Sequence, residues 1–300
     1  MSARRARAGG RDDGRDDVRD DGREARVDVR VWLDGAVVPL AEARVGVLDH
    51  GLTVGDGVFE TLKVVDGTPF ALTLHLRRLA ASAAGLGLGL PGEPVLRRAV
   101  EQVLAGPGAP LARLRLTVTG GEAPPGSARA DVPPTVVVVL APLDPAAPSA
   151  AAVTVPWPRN ERGATAGLKT TSYAENVVAL ARARAAGASE ALLPNTRGRL
   201  CEGTGSNVLV EHGGRLVTPP LASGCLAGVT RALVLRWCDV GERDLPVEAL
   251  GTAGEVALTS STRDVQPLHA LDGRALEPGP LAAAAREEFA RRARREPDPV

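Results

Sequence analysis

Lysine is scarce in this chain, and one of its two lysines lies close to its sole tyrosine. Only Lys63 and Lys169 are lysines among 36 Lys and Arg residues. Lys169 stands in the stretch GLKTTSYAEN, four residues before Tyr173. A lysine amine can form a Schiff base with a carbonyl group and then move a proton, whereas arginine cannot. Lys169 is therefore the candidate nucleophile, while Lys63, in the alternating strand TLKVV, is expected to face solvent.

A second chemical candidate is Glu202, in the stretch RLCEGTGSNVLV. A carboxylate beside a pyridine nitrogen keeps that nitrogen protonated, which makes the ring an electron sink. The small residues after Glu202 allow a flat ligand to approach the backbone closely. Taken by itself, Glu202 is better explained as a surface residue at the end of a strand.

Three further segments could bind a phosphate. Val229 and Thr230 begin a predicted helix, where free N–H groups and the helix dipole favour an anion, although an ordinary threonine cap explains them equally well. Thr262 ends the hydroxyl-rich run TSST, which is otherwise a polar turn. Arg78, in HLRRL, offers a fixed cation. Together with Lys169 and Glu202, these residues supply what pyridoxal 5'-phosphate requires.

The elements that must position these residues follow a two-part order along the chain. The first 28 residues repeat Arg-Asp-Asp units with almost no apolar residues, so we expect them to be disordered. Asp-Gly pairs at 34–35 and 66–67 predict hairpins. The mixture of hairpins and helices predicts an α and β protein with two domains rather than a doubly wound sheet. The predicted parts are an N-terminal α+β domain at 29–143, a linker at 144–150, a C-terminal cofactor-binding domain at 151–275, and a C-terminal helix and tail at 276–300.

Composition excludes several classes of protein. The formal net charge is zero, which indicates no general attraction to nucleic acid or membranes. The chain has three cysteines, no CxxC motif and four scattered histidines, so neither a disulfide framework nor a metal site is expected. No apolar run is long enough to span a membrane, and the N-terminus lacks the apolar core of a secretory signal. These features predict a cytoplasmic protein.

The motifs taken together resemble those of the class IV (fold type IV) pyridoxal-phosphate enzymes. This group contains branched-chain aminotransferases, D-amino-acid aminotransferases and 4-amino-4-deoxychorismate lyases. The similarity runs from about Val29 to Leu268 and rests on the order and spacing of DHGLTVGDGVFETLKV, HLRRL, GLKTTSYAENVVA, LCEGTGSNVLV, GVTR and LTSSTRDVQPL. It implies a homodimer, a smaller N-terminal α+β domain, a larger mixed α/β barrel-like domain, and a cofactor between the two domains.

The resemblance also implies a role for each candidate residue. Lys169 would be the Schiff-base lysine and proton shuttle, and Glu202 would pair with the pyridine nitrogen. Tyr173 resembles a tyrosine that approaches the phenolic oxygen of the cofactor in some relatives. Glu60, in VFET, would lie on the substrate side. The implied phosphate-binding residues are Arg78, Val229, Thr230 and Thr262.

Among the reactions of this family, the overall similarity favours aminodeoxychorismate lyase of folate biosynthesis. Lys169 would remove a proton from the small amino substrate aminodeoxychorismate, pyruvate would leave, and 4-aminobenzoate would form. The alternatives are a branched-chain or D-amino-acid transaminase and, more remotely, a non-catalytic binding protein with this fold. Gly120 and Gly121 replace the arginine motif with which D-amino-acid aminotransferases and some of the lyases bind the substrate carboxylate. The remaining candidates for that contact are Arg113, Arg115 and Arg159.

Overall fold

The computed structural model describes residues 29–106 and 108–300, which form two β-sheets flanked by helices. The predicted disordered leader at 1–28 lies outside the described residues. Strand β6 of the first sheet ends at Pro142, and strand β7 of the second begins at Ala150. The chain therefore passes from the strands of the first sheet to those of the second through the segment 143–149.

The first sheet is antiparallel, with the strand order β2-β1-β6-β5-β3-β4. Its strands are β1 (Arg30–Leu33), β2 (Ala36–Val38), β3 (Gly57–Val65), β4 (Thr68–Pro69), β5 (Leu111–Thr119) and β6 (Val136–Pro142). Both predicted hairpins are confirmed, between β1 and β2 and between β3 and β4. Asp34 and Asp66 adopt φ values of 43° and 47° at their turns, and aspartate tolerates this left-handed conformation better than most residues.

Two helices cover one face of this sheet and bury its core. They are α2 (Leu72–Leu86) and α3 (Glu93–Leu104), whose apolar faces pack on fully buried strand residues such as Leu62 and Leu114. The sequence did not predict the single-turn helix α1 (His50–Thr53), which Asp49 caps by accepting a hydrogen bond from the Gly51 amide. Helix α2 presents Arg78 toward the second sheet.

The second sheet is mixed and strongly curled. Its strand order is β12-β11-β10-β13-β14-β7-β8-β9, with β15 paired to β14. Only residues 204–206 separate β9, at one edge, from β10, well inside the sheet, so the sheet must curl back on itself. This confirms the barrel-like domain. The strands are β7 (Ala150–Thr154), β8 (Glu190–Pro194), β9 (Leu200–Gly203), β10 (Asn207–His212), β11 (Arg215–Thr218), β12 (Val240–Glu242), β13 (Val256–Ser260), β14 (Asp264–Leu271) and β15 (Arg274–Ala275).

Helices pack on the outside of the curled sheet and join it to the first domain. They are α4 (Ala174–Ala185), α5 (Val229–Trp237) and α6 (Pro280–Arg295), with short 3-10 helices at Leu221–Ser223 and Val247–Gly251. Phe289 of α6 contacts both Trp237 of α5 and Phe70 of the first domain, with ring centroids 5.4 and 5.9 Å away. Within the described residues, no helix has the length and apolar character needed to cross a membrane.

Candidate active site

A cavity of about 1060 Å³ lies between the two domains. Both sheets contribute to its wall, through β3, β5 and α2 on one side and through β9, α5 and the turn after β13 on the other. The structure brings all seven predicted cofactor-binding residues to this one cavity. They are Lys169, Glu202, Arg78, Val229, Thr230, Thr262 and Tyr173.

Lys169 is placed by backbone pairing with β3. Its carbonyl accepts a hydrogen bond from the Phe59 amide at 3.0 Å, and the Thr171 amide donates to the Gly57 carbonyl at 2.8 Å. The Lys169 amide donates to Ser82 Oγ of α2 at 3.1 Å. The segment around Lys169 thus extends the first sheet, although it belongs to the connection between β7 and α4. This pairing aims the lysine side chain into the cavity.

The Lys169 amine lies in an apolar and aromatic environment. Its Nζ atom is 4.4 Å from the centroid of the Phe59 ring and 3.3 Å from Tyr173 Oη. Burial, together with the positive charge of Arg78, lowers the pKa of Lys169 to about 8. A larger share of the amine is therefore neutral, and so nucleophilic, near neutral pH than for an exposed lysine. Burial also raises the pKa of Tyr173, which keeps its phenol protonated.

Glu202 is oriented by two donors at the end of β9. The Leu226 amide donates to Oε2 at 2.9 Å, and Arg159 Nε donates to Oε1 at 3.1 Å. Burial raises the pKa of Glu202, while the charge of Arg159 acts in the opposite direction. A protonated ring nitrogen placed against this carboxylate would stabilise its ionised form. Arg159 is therefore engaged with Glu202, which argues against its selection as the substrate-carboxylate residue.

Unpaired donors gather at the end of the cavity formed by the start of α5 and the turn after β13. Helix α5 begins at Val229 and has no side-chain cap, so its first amides face the cavity unpaired by any capping group. Thr259 Oγ1 and Ser260 Oγ are buried but have no hydrogen-bond partner within the described residues. Buried polar groups are normally satisfied. A phosphate dianion at this helix start would satisfy them and benefit from the helix dipole, so this end of the cavity fits the phosphate of the cofactor.

Arg78 reaches this end of the cavity through a buried network. Its Nε and Nη2 atoms donate to Glu60 Oε1 and Oε2 at 2.8 and 2.6 Å, and Nη1 donates to the Ala227 carbonyl at 3.1 Å. His75 Nδ1 lies 2.6 Å from Glu60 Oε2. This network fixes Arg78 against the loop that precedes α5.

Glu60 does not occupy the expected substrate position. Its side chain is fully buried behind Arg78 and does not line the cavity. Although burial raises the pKa of Glu60, the charges and hydrogen bonds of Arg78 and His75 lower it to about 2. The geometry therefore indicates that Glu60 orients Arg78 and does not contact the substrate.

The structure separates the three arginines that the sequence left as candidates for the substrate carboxylate. Arg115 lies in the cavity wall, with its guanidinium carbon 3.8 Å from the centroid of the Phe59 ring. Its Nε donates to Thr117 Oγ1 at 3.2 Å, and within the described residues no carboxylate pairs with it. Arg113 is exposed and lies outside the cavity wall. Arg115 is therefore the available cation.

Gly120 and Gly121, which replace the arginine motif, leave no space for side chains. A Cβ atom at Gly121 would lie 2.4 Å from the Pro133 carbonyl oxygen, and the residue has a φ of 75°. A Cβ atom at Gly120 would lie 2.6 Å from Asp56 Oδ2. The surrounding packing therefore requires glycine at these two positions. The positive side chain that binds the substrate carboxylate must come from another strand position.

A buried amine, an oriented carboxylate and unpaired anion donors converge in one cavity between an antiparallel sheet and a curled mixed sheet. This fold and this site define a pyridoxal-phosphate-dependent enzyme. The chain belongs to the family described as amino-transferase class IV, whose model matches residues 57–271.

Relatives of known name agree with this membership. A putative branched-chain-amino-acid aminotransferase of Methanocaldococcus jannaschii is 31% identical over 274 residues, 87% of this chain and 95% of the relative. A bifunctional aminodeoxychorismate lyase / D-amino acid transaminase of Mycobacterium tuberculosis is 32% identical over 278 residues, 84% of this chain and 94% of the relative. The PLP-bound form of a hypothetical aminotransferase from Mycobacterium tuberculosis matches with a TM-score of 0.77 and 30% identity, covering 87% of this chain and 97% of that one.

Proposed function

We propose that this enzyme transaminates an amino acid whose carboxylate binds Arg115. One observation carries the proposal: the Lys169 amine and the Arg115 guanidinium both lie against the same Phe59 ring, at 4.4 and 3.8 Å from its centroid. The reacting amine and the candidate carboxylate-binding cation therefore border the same part of the cavity, beside Phe59. A substrate with an amino group and a carboxylate on one carbon would present one group to each of these two side chains.

Pyridoxal 5'-phosphate, when bound, supplies a conjugated ring that accepts the electrons released from the substrate carbon. Lys169 Nζ would bind the cofactor, then remove the proton from the substrate carbon and deliver it during reprotonation. Glu202 would hold a proton on the ring nitrogen, because Arg159 and the Leu226 amide fix its carboxylate in place. Tyr173 would orient Lys169 through the contact between Oη and Nζ.

The start of α5 and the turn after β13 would bind the phosphate group. Arg78 would contribute charge, and Val229 and Thr230 would contribute the start of helix α5. Thr262 lies in the turn after β13 and would complete the cradle. The unpaired Thr259 and Ser260 hydroxyls named above support this assignment.

Aminodeoxychorismate lyase is the second candidate function. The Mycobacterium tuberculosis relative that combines this lyase with D-amino acid transaminase favours it, as does a cavity large enough for a cyclic substrate. Both reactions begin with removal of a proton by Lys169, so the cofactor residues are the same. In the lyase reaction the substrate would lose its side chain as pyruvate, and its ring would become aromatic 4-aminobenzoate.

We further propose that the enzyme works as a homodimer whose second copy covers the segment 40–54. This segment exposes several apolar side chains, with Val47 78% and Leu52 67% exposed. Leu52 and Val54 also border the cavity. Since large apolar patches on a monomer mark interaction surfaces, a second copy is the occupant that would both bury the patch and close the cavity.

A product analysis tests the assigned reaction. Purified protein loaded with pyridoxal 5'-phosphate is supplied with L- and D-amino acids and 2-oxoglutarate, and separately with aminodeoxychorismate. Transamination predicts glutamate together with the keto acid of the donor, and the Lys169→Arg variant should form neither. Pyruvate and 4-aminobenzoate in equal amounts, without glutamate formation, would replace the first proposal with the second. Turnover by the Lys169→Arg variant would contradict both.

A further inference from the structure

Lys63, the second of the two lysines, does not face solvent as expected. It lies on β3 with its side chain only 13% exposed, and its Nζ atom donates to Asp264 Oδ1 at 2.6 Å and also contacts Oδ2. Asp264 is the first residue of β14, in the curled sheet. The expected surface lysine thus forms an ion pair that joins the two domains, because the second domain covers this face of β3.

Asp264 ends the turn that contributes Ser261 and Thr262 to the cavity wall. Two further contacts fix the same turn. Arg263 Nη2 donates to the buried Glu190 Oε2 at 2.8 Å, and Ser261 Oγ lies 3.2 Å from His75 Nε2. Asp264 itself has a φ of 57°, in the left-handed region that few residues other than glycine adopt. The turn is therefore held from both domains.

The negative charge of Asp264, if unpaired, would weaken the binding of a phosphate at the neighbouring turn. Asp264 does not line the cavity itself, but it lies two residues from Thr262, which would contact a phosphate dianion, and its side chain is only 25% exposed. Water screens a partly buried charge poorly, so an unpaired carboxylate here would oppose anion binding. Lys63 places its ammonium against both carboxylate oxygens and removes this repulsion.

We propose that Lys63 is a positioning residue that neutralises Asp264 so that the cofactor phosphate can bind beside the turn. Lys63 acts through Asp264, without itself lining the cavity. The inference rests on the proposed phosphate-binding role of Thr262, and it does not depend on which reaction the enzyme catalyses.

Cofactor affinity of the full-length apoprotein tests the inference. Lys63→Met keeps the length of the side chain and removes its charge, and should weaken binding of pyridoxal 5'-phosphate by about tenfold or more. Binding of pyridoxal, which lacks the phosphate, should change by less than about twofold, because repulsion requires the dianion. Equilibrium dialysis measures both affinities without turnover. Equal weakening of both ligands, or no weakening of either, would overturn the proposal.

Two companion variants separate charge from structure. Asp264→Asn removes the negative charge but keeps a residue that tolerates a positive φ, so it should bind pyridoxal 5'-phosphate within about threefold of the wild type. The double variant Lys63→Met/Asp264→Asn should recover most of the affinity lost in Lys63→Met. If Asp264→Asn loses as much affinity as Lys63→Met, the pair acts only as a mechanical tie and charge neutralisation is refuted.

Arg113→Met provides the matched control. Arg113 is the cross-strand partner of Lys63 on β5, but it is exposed and does not line the cavity. Its removal deletes one cation within a single strand spacing of Lys63 and should leave both affinities unchanged. A loss of phosphate-specific affinity in this control equal to that in Lys63→Met would show that affinity follows the general positive charge of this region and not the Lys63–Asp264 pair, which contradicts a specific role for Lys63.

Discussion

Replacing Glu60 with glutamine removes the carboxylate that binds both Arg78 and His75. A glutamine amide can accept hydrogen bonds at only one of its two terminal atoms, and Arg78 donates to both carboxylate oxygens, so one of its N–H groups faces another donor in either orientation of the amide. Arg78 would then remain in a buried position without a charge partner. Breaking a buried ion pair in this way costs about 3–5 kcal/mol of unfolding free energy.

The pKa of Glu60 gives an independent magnitude for the same group. A folded-state pKa of about 2, against an ordinary value of 4.5, corresponds to about 3 kcal/mol of stability through proton linkage. Because this pKa is lowered by folding, the contribution is complete above about pH 4.5 and is lost as the pH falls toward about 2. The stability difference between wild type and Glu60→Gln should therefore be largest at pH 7 and shrink in acid.

Urea unfolding of the apoprotein at pH 7 and pH 3.5 measures this difference. The control is Glu93→Gln, which breaks an exposed pair with Arg97 and should cost less than about 1 kcal/mol. A Glu60→Gln variant with wild-type stability at pH 7 and a raised KM for the amino substrate would refute the orienting role. That result would return Glu60 to the substrate contact that the sequence resemblance implied.

Three further predictions concern the cavity and the proposed dimer. Arg115→Met should lower kcat/KM for carboxylate-bearing amines by about 10- to 150-fold, as loss of a charged hydrogen bond implies, while cofactor affinity stays unchanged. Because the pKa of Lys169 is about 8, the rate at which apoprotein captures pyridoxal 5'-phosphate should rise as the pH increases through that value and level off above it, as stopped-flow absorbance would show. Val47→Asp should shift the protein from dimer to monomer in light scattering, whereas the exposed Val95→Asp should not.

Local signals explain how much of the site the sequence could predict. A few residues are enough to recognise the Asp34-Gly35 and Asp66-Gly67 turns and the helix start at Val229. The rarity of lysine is evident from the composition of the whole chain. The order of the motifs along the chain then resembles one family, which is confirmed. The cofactor residues named from that order all line one cavity.

The sequence could not predict the environments of Lys63 and Glu60, because these depend on which part of the protein covers each face of strand β3. Strand alternation places Lys63 on the same face of β3 as Phe59 and Thr61, which line the cavity. Nothing local to β3 indicates that β14 covers this face, so Lys63 was expected to be exposed. Glu60 lies on the opposite face, under α2, and its burial depends equally on tertiary packing.

Continuous strand-forming sequence caused a second difference. The stretch EVALTSSTRDVQPL contains no glycine, and its one proline comes late, so its composition indicates one strand running into a polar turn. The structure has two antiparallel strands there, β13 and β14, reversed through Ser261, Thr262 and Arg263. The reversal is stabilised by ion pairs with Glu190 and Lys63, both distant in sequence. The sequence likewise leaves Arg115 as one of three candidates for binding the substrate carboxylate, because its position beside Phe59 depends on tertiary packing.

Covalent mapping of the cofactor tests the central claim that Lys169 is the reactive amine. Protein loaded with pyridoxal 5'-phosphate is reduced with borohydride, digested and analysed by mass spectrometry. The chain has two lysines, so the assignment is decisive. The account predicts one pyridoxyl group on the peptide that contains Lys169 and none on the peptide that contains Lys63. Stoichiometric label on Lys63, or protein that captures no cofactor, would contradict it.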